Sequence, residues 1–256
     1  MNDCLVKIAS SVSSAVEKRL FAEYGAVFAT IATPPPTIIF RDPMEVNAFQ
    51  SSLSLRKTML GNYEIQLQEL ALSALLEAAA EAADSGLVIS ARAADSGARS
   101  YEDTVGLWLR NVTRGLDHWE IQGRITAERA QSLRELTPAD QVGVILDIEE
   151  NEGLFFGTFL DRSILYSVAA PGASQHLSML AFDVMEYEET LVEATLARHG
   201  WYRTVPNDLP HFTYLGRDAE SLLGVGLQRI ERPYGEKTYG FWIPNLDRLP
   251  DGLTPS

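Results

Sequence analysis

A chain of 256 residues, 46% of them hydrophobic and 22% charged, is long enough to bury one large core. Its formal charge of −14 argues against nucleic acid or an anionic membrane surface as partner, because both reward clustered Lys and Arg. No apolar run approaches the roughly 18–20 residues of a transmembrane helix, and the lone cysteine, Cys4, excludes an intramolecular disulfide.

The opening stretch MNDCLVKIASSVSSAVEKRL lacks the apolar centre of a signal peptide. Residues 5–24 instead carry apolar positions at helical spacing. AVFATIA (26–32) is β-prone, and PPP at 34–36 breaks it ahead of a short strand, TIIF, at 37–40. Asp42 and Pro43 suit the N-cap and first position of a helix. Residues 65–86, IQLQELALSALLEAAAEAADSG, read as one Ala/Leu/Glu helix ending at Gly86, followed by a strand LVISARAA. Helices are expected over 102–119 and 126–135, and another starts with Thr137 as N-cap and Pro138 in its first turn. EYEETLVEATLARHG (186–200) sets acidic residues early, Arg198 and His199 late and Gly200 at the C-terminal cap. HFTYLG and YGFWIPNL are β-like.

Helices come first and strands cluster late, with little βαβ alternation, so the fold class reads as α+β. The expected boundary lies near residue 60, where Gly61-Asn62 precedes the long helix. Residues 1–60 then form an N-terminal extension packing on a main domain of residues 61–256.

Four histidines allow each to be weighed. His118 sits beside Trp119 near a helix end and His199 in the last turn of a helix, places that suit capping or packing. His176 and His211 differ, because each has loop-like flanks and a carboxylate close in sequence. Asp183 ends an apolar run, VAAPGASQHLSMLAFDV, where an ionised carboxylate is costly unless a cation answers it. His176, Asp183 and His211 make a three-ligand zinc set with a fourth position open. Asp208, in NDLPHFTYLG, could serve such a site as general base. On spacing alone, a metal site and a core salt-bridge cluster both remain open.

SQHLSMLAFD resembles the SxHxxGxAxD motif of the zinc D-alanyl-D-alanine metallopeptidases, the family of the vancomycin-resistance dipeptidase and carboxypeptidase. DLPHFTYLG is similar to that family's second motif, ExWHF, and ARSYEDT resembles its YRSYxxQ segment. The three stand in the family's order, with HGW before the last, over roughly residues 65–216. The resemblance implies a small central antiparallel sheet with surrounding helices and a Zn2+ cleft on the sheet. It also implies hydrolysis of D-Ala-containing cell-wall peptides in a periplasmic or extracellular setting. His176, Asp183 and His211 would be the metal ligands, Asp208 the catalytic base and Arg99 the group that stabilises charge on the scissile carbonyl. Ser174 would lie near the bound peptide.

The sequence departs from the family at four places. Asp208 stands for Glu, Met179 for Gly, Thr104 for Gln and Pro210 for Trp. These departures sustain a second expectation: a protein that binds peptidoglycan peptides, or regulates, with the same fold and little or no turnover.

Overall fold

The computed structural model describes residues 3–248 and shows an α+β fold of helices and short antiparallel strands. The chain begins with helices α1 (Asp3–Ser11) and α2 (Ala15–Tyr24) and a 3-10 segment η1 (Gly25–Ala29). Helix α3 (Pro43–Ser51) leads to a hairpin, β1 (Leu55–Leu60) and β2 (Tyr63–Gln68), and to α4 (Glu69–Asp84). Next come α5 (Tyr101–Ile121), α6 (Ala127–Arg134), α7 (Pro138–Glu152) and two 3-10 turns, η2 (Ile164–Tyr166) and η3 (Gln175–Ser178). The last part holds β3 (Ala181–Asp183), α8 (Thr190–Arg198), β4 (Trp201–Tyr202), β5 (His211–Tyr214) and α9 (Ala219–Gly224). A hairpin of β6 (Leu227–Tyr234) and β7 (Lys237–Pro244) and the turn η4 (Leu246–Arg248) follow. Among the described residues no helix is long and apolar enough to cross a membrane.

The chain divides into two units. The larger takes residues up to Ile38, Asn47–Arg99 and Gln175 onwards; the smaller takes Ile39–Val46 and Ser100–Ser174. The smaller unit is helical, and its helices start where cap chemistry says they should. Ser100 and Asp103 form a capping box on α5, and Thr137 caps α7 with Pro138 behind it. Its loop after α7 is anchored by the buried Glu149, whose carboxylate accepts from the Phe156 and Ile164 amides at 2.9 and 2.7 Å and from the Ser163 hydroxyl at 2.5 Å.

The larger unit holds three small antiparallel sheets: β1-β2, β3-β5-β4 and β6-β7. Helices α4 and α8 pack on each other, with α4 also on β2 and α8 on β4. The apolar core there includes Leu72, Leu75, Phe182, Leu196, Trp201 and Phe212, all fully buried.

Several expected strands are absent. Residues 26–29 lie in η1, which packs against β7 and α2 as a 3-10 turn, with Phe28 stacked on Phe21 at a ring-centroid distance of 6.3 Å. Residues 37–40 follow three prolines without N–H groups and form bends. Residues 87–94 run beside β3 but make one bridge, Ala91 to Val184, because the Glu186 carboxylate takes the Ser90 amide at 2.8 Å. Residues 65–68, read as the start of a helix, are the end of β2, with Ile65 and Leu67 inward at the period of two. Gly61-Asn62, expected to mark a boundary, is the turn between β1 and β2.

Gly200 joins α8 to β4 with φ +78, and a Cβ built there would lie 2.6 Å from the Gly216 Cα. Its carbonyl accepts from the Leu215 and Gly216 amides at 2.8 and 3.1 Å. Gly200→Ala is expected to destabilise the protein by at least about 2 kcal/mol, combining left-handed strain with backbone overlap. An unchanged denaturant midpoint would refute that reading of the turn.

Candidate metal centre

Strand register brings the first two ligand candidates together. In the β3-β5 pair Asp183 lies directly opposite His211, so their side chains leave the same face of the sheet as cross-strand neighbours. The Asp183 backbone is held on its other side, its N–H donating to the Ser96 carbonyl at 2.9 Å and its C=O accepting from the Arg92 amide at 3.1 Å. His176 arrives from η3, which turns back into β3 through Met179. That residue has φ +57, a left-handed conformation that costs a non-glycine residue about 1–2 kcal/mol. Gln68 secures the turn: its amide N–H donates to the Met179 carbonyl at 3.0 Å and its side chain donates to the Ser178 carbonyl at 2.8 Å.

Three potential ligand atoms converge. The His176 Nε2 and the His211 Nδ1 each lie 3.3 Å from the Asp183 Oδ1. The imidazoles meet edge to face with centroids 4.9 Å apart. On its far side the His176 Nδ1 is 2.8 Å from the Gly97 carbonyl, which only accepts, so Nδ1 carries the proton. The His211 Nε2 is likewise 2.8 Å from the Gln175 Oε1. In the neutral form of each ring the inner nitrogen then presents a lone pair to a carboxylate oxygen that presents its own. Among the described residues no hydrogen bond reaches the buried Asp183 Oδ1.

Electrostatics weigh against a salt-bridge cluster. Such a cluster needs protonated imidazoles, yet burial pushes the His176 imidazole down, outweighing the pull of Asp183. Asp183 is ionised, and its outer oxygen, Oδ2, accepts from the Arg99 Nη2 at 3.1 Å.

A cation among the three atoms would resolve the arrangement. Ligand atoms about 2.0–2.1 Å from a tetrahedral zinc ion stand about 3.3 Å apart, the separation found on both edges at Asp183. His176, Asp183 and His211 form a triad that can hold a metal ion, with all three donor atoms within 4.8 Å of one another.

The remaining expected site residues fall as follows. Asp208 is tied to His211 by a turn, the His211 amide donating to its carbonyl at 3.2 Å. Its side chain is exposed. Crowding by protein pushes its carboxyl up while His211 opposes, Asp183 reinforces, and His176 and Arg99 oppose more weakly; exposure to water limits the shift. Arg99 is at the triad but turned to its carboxylates, 3.1 Å from Asp183 and 3.4 Å from Asp95. Ser174 is buried and is the last residue of the smaller unit. His118 lies edge-on to Trp119, and His199 binds Glu81 at 2.7 Å, both structural.

Sequence reasoning passed over Gln175, Gly97 and the carbonyl of Ser96. Gln175 had a signal, a polar residue beside the first histidine within an apolar run; backbone carbonyls leave none. Compared with protein-family models, curated proteins and solved structures, the chain matches none.

His176→Ala is expected to lower Zn2+ affinity at least 100-fold in a chelator competition, whereas His118→Ala leaves it unchanged. Equal affinity in the two variants would remove the triad from consideration.

Proposed function

We propose that the protein is a zinc-dependent peptidase of the DD-carboxypeptidase or DD-dipeptidase type, hydrolysing D-Ala-containing peptidoglycan peptides. The observation that carries this reading is the convergence of two imidazole lone pairs on the orphaned Asp183 Oδ1. Two nitrogens and one carboxylate oxygen, at tetrahedral spacing and with a fourth position left for water or substrate, suit catalytic zinc. The ordered motif resemblance supplies the substrate class, and a periplasmic or extracellular setting is part of the same proposal.

Zinc in such a site supplies Lewis acidity: it polarises a carbonyl oxygen and makes water a better nucleophile near neutral pH. The chain's own residues do the rest. Hydrolysis forms a bond from water oxygen to the amide carbon and breaks the C–N bond, so a proton must move from water to the leaving nitrogen. Asp208 is suited to that transfer: it sits within electrostatic reach of all three ligands, and its carboxyl is raised towards the working range of a general base. Arg99 neutralises Asp183 from the outer oxygen. Imidazoles ligate as neutral groups, so in a loaded site the donor set and Arg99 together would carry almost no net charge, which would leave a dication strongly electrophilic.

The engagement of Arg99 with two carboxylates also favours the second reading, a peptide-binding or regulatory protein with little turnover. In that reading the guanidinium orients a ligand and is not committed to a scissile carbonyl. Asp208 adds to it, being one methylene shorter than glutamate, and a displacement of about 1 Å can cost on the order of 100-fold in rate.

Amine release from D-Ala-D-Ala and from stem peptides, measured before and after chelation and again after zinc is restored, separates the readings. Chelator-sensitive release supports the peptidase. Zinc binding without release on any of these peptides supports the binding protein. For the peptidase, Asp208→Ala is expected to keep zinc and lose at least about 100-fold in kcat; full activity in that variant would end the assignment of Asp208 as base.

A further inference from the structure

One buried side chain beside the triad is used by neither ligation nor proton transfer. Gln175 is 3% exposed, and its amide bonds in two directions. Its Nε2 donates to the Tyr24 carbonyl at 2.8 Å. Its Oε1 faces the His211 Nε2 at 2.8 Å, the Thr204 hydroxyl at 2.9 Å and the Thr213 hydroxyl at 2.5 Å. The hydroxyls adapt, since each can donate or accept, and they also bond to each other at 2.7 Å. The Tyr24 carbonyl does not adapt. A reversed Gln175 amide would set two carbonyl oxygens against each other, so Tyr24 at the end of α2 fixes which way the amide points.

The consequence reaches the metal ligand. With Oε1 aimed at it, the His211 Nε2 must carry the proton, and Nδ1 is left as a lone pair towards Asp183. The opposing tendency is built into the site. A proton on Nδ1 would find the Asp183 Oδ1, which otherwise lacks a hydrogen bond. Without the Gln175 acceptor, the nearest polar group to the His211 Nε2 is the Thr213 hydroxyl at 3.4 Å, which can donate and so accommodate the wrong tautomer.

We propose that Gln175 is a positioning residue: its amide, oriented by the Tyr24 carbonyl, holds His211 in the tautomer that presents Nδ1 and thereby sets the metal affinity of the triad. This rests on the metal reading of the site but not on peptidase activity.

The test uses the full chain, with Zn2+ alone as the probe, and two readouts. Imidazole 15N NMR of the metal-free protein reports the His211 tautomer, and chelator competition reports Zn2+ affinity. Wild type is expected to show the Nε2–H form. Gln175→Leu is expected to shift His211 towards Nδ1–H and to weaken Zn2+ binding 10–100-fold, the usual loss when a partner of a ligating histidine is removed. Gln175→Glu keeps an acceptor of the same reach and is expected to keep the Nε2–H form, with affinity within about 10-fold of wild type. Wild-type affinity and tautomer in Gln175→Leu would overturn the proposal. If that variant does not fold, Gln175→Glu decides: Nδ1–H in a folded Gln175→Glu overturns it as well. A wild-type protein that binds no Zn2+ refutes the metal reading instead, and the tautomer measurement still shows whether Gln175 governs His211.

Discussion

The structure around the site depends on one electrostatic constraint: three electron-pair donors meet with no proton between them. Acceptors at 3.3 Å in a buried place repel one another, and the chain holds them there through its backbone. Asp183 and His211 are fixed by strand register, and His176 by a left-handed turn that Gln68 clamps from β2. The protons that could relieve the repulsion are drawn outward, to Gly97 from one imidazole and to Gln175 from the other. Such outer partners fix ring orientation and tautomer in metal sites. A salt-bridge cluster of the same residues would need protons on the inner nitrogens as well, which the burial of His176 opposes.

Charge acts at two scales. The chain as a whole is strongly acidic, at −14, yet the triad is close to neutral because Arg99 covers the outer oxygen of Asp183. That pairing separates two duties a single arginine could perform. A guanidinium spent on Asp183 keeps the carboxylate ionised and oriented, but it contributes less to charge developing on a bound peptide. The cost of ordering Arg99 is shared with Asp95, 3.4 Å from its Nε. The result is a site better built to hold a cation than to cradle an oxyanion by arginine alone.

How much of this could be read from the sequence depends on how far each interaction reaches along the chain. Helices capped by Asp42 and Thr137 were legible, because each cap acts within one turn of itself. The ligand residues were legible as unusual polar residues on apolar or loop-like stretches, and the carboxylate in an apolar run was the clearest of them. Strands were not. Residues 26–32 and 87–94 have β-prone composition, but a strand exists only where a partner edge is free, and at Ser90 the Glu186 carboxylate has taken the amide. Residues 65–68 failed in the opposite sense, their alternation hidden against the helix that follows. Gln175 stood in plain sight beside His176, yet its importance comes from Tyr24, 151 residues earlier, and from His211, 36 residues later.

The departures at Met179 and Asp208 have different physical weight. Met179 keeps the left-handed turn that a glycine would adopt without strain, and the cost of about 1–2 kcal/mol is absorbed by hydrogen bonds from Gln68 and by burial of the methionine side chain. Ligand placement depends on that backbone and survives the substitution. The placement of a proton-transfer group depends instead on side-chain reach, which one methylene alters directly and which no backbone hydrogen bond restores. Asp208 is also exposed, unlike the buried His211 and its partner Gln175. In the proposed reading, holding a cation and turning over a peptide are therefore separable. The first would rest on buried polar groups held by backbone register and outer hydrogen bonds, and the second on one exposed carboxylate.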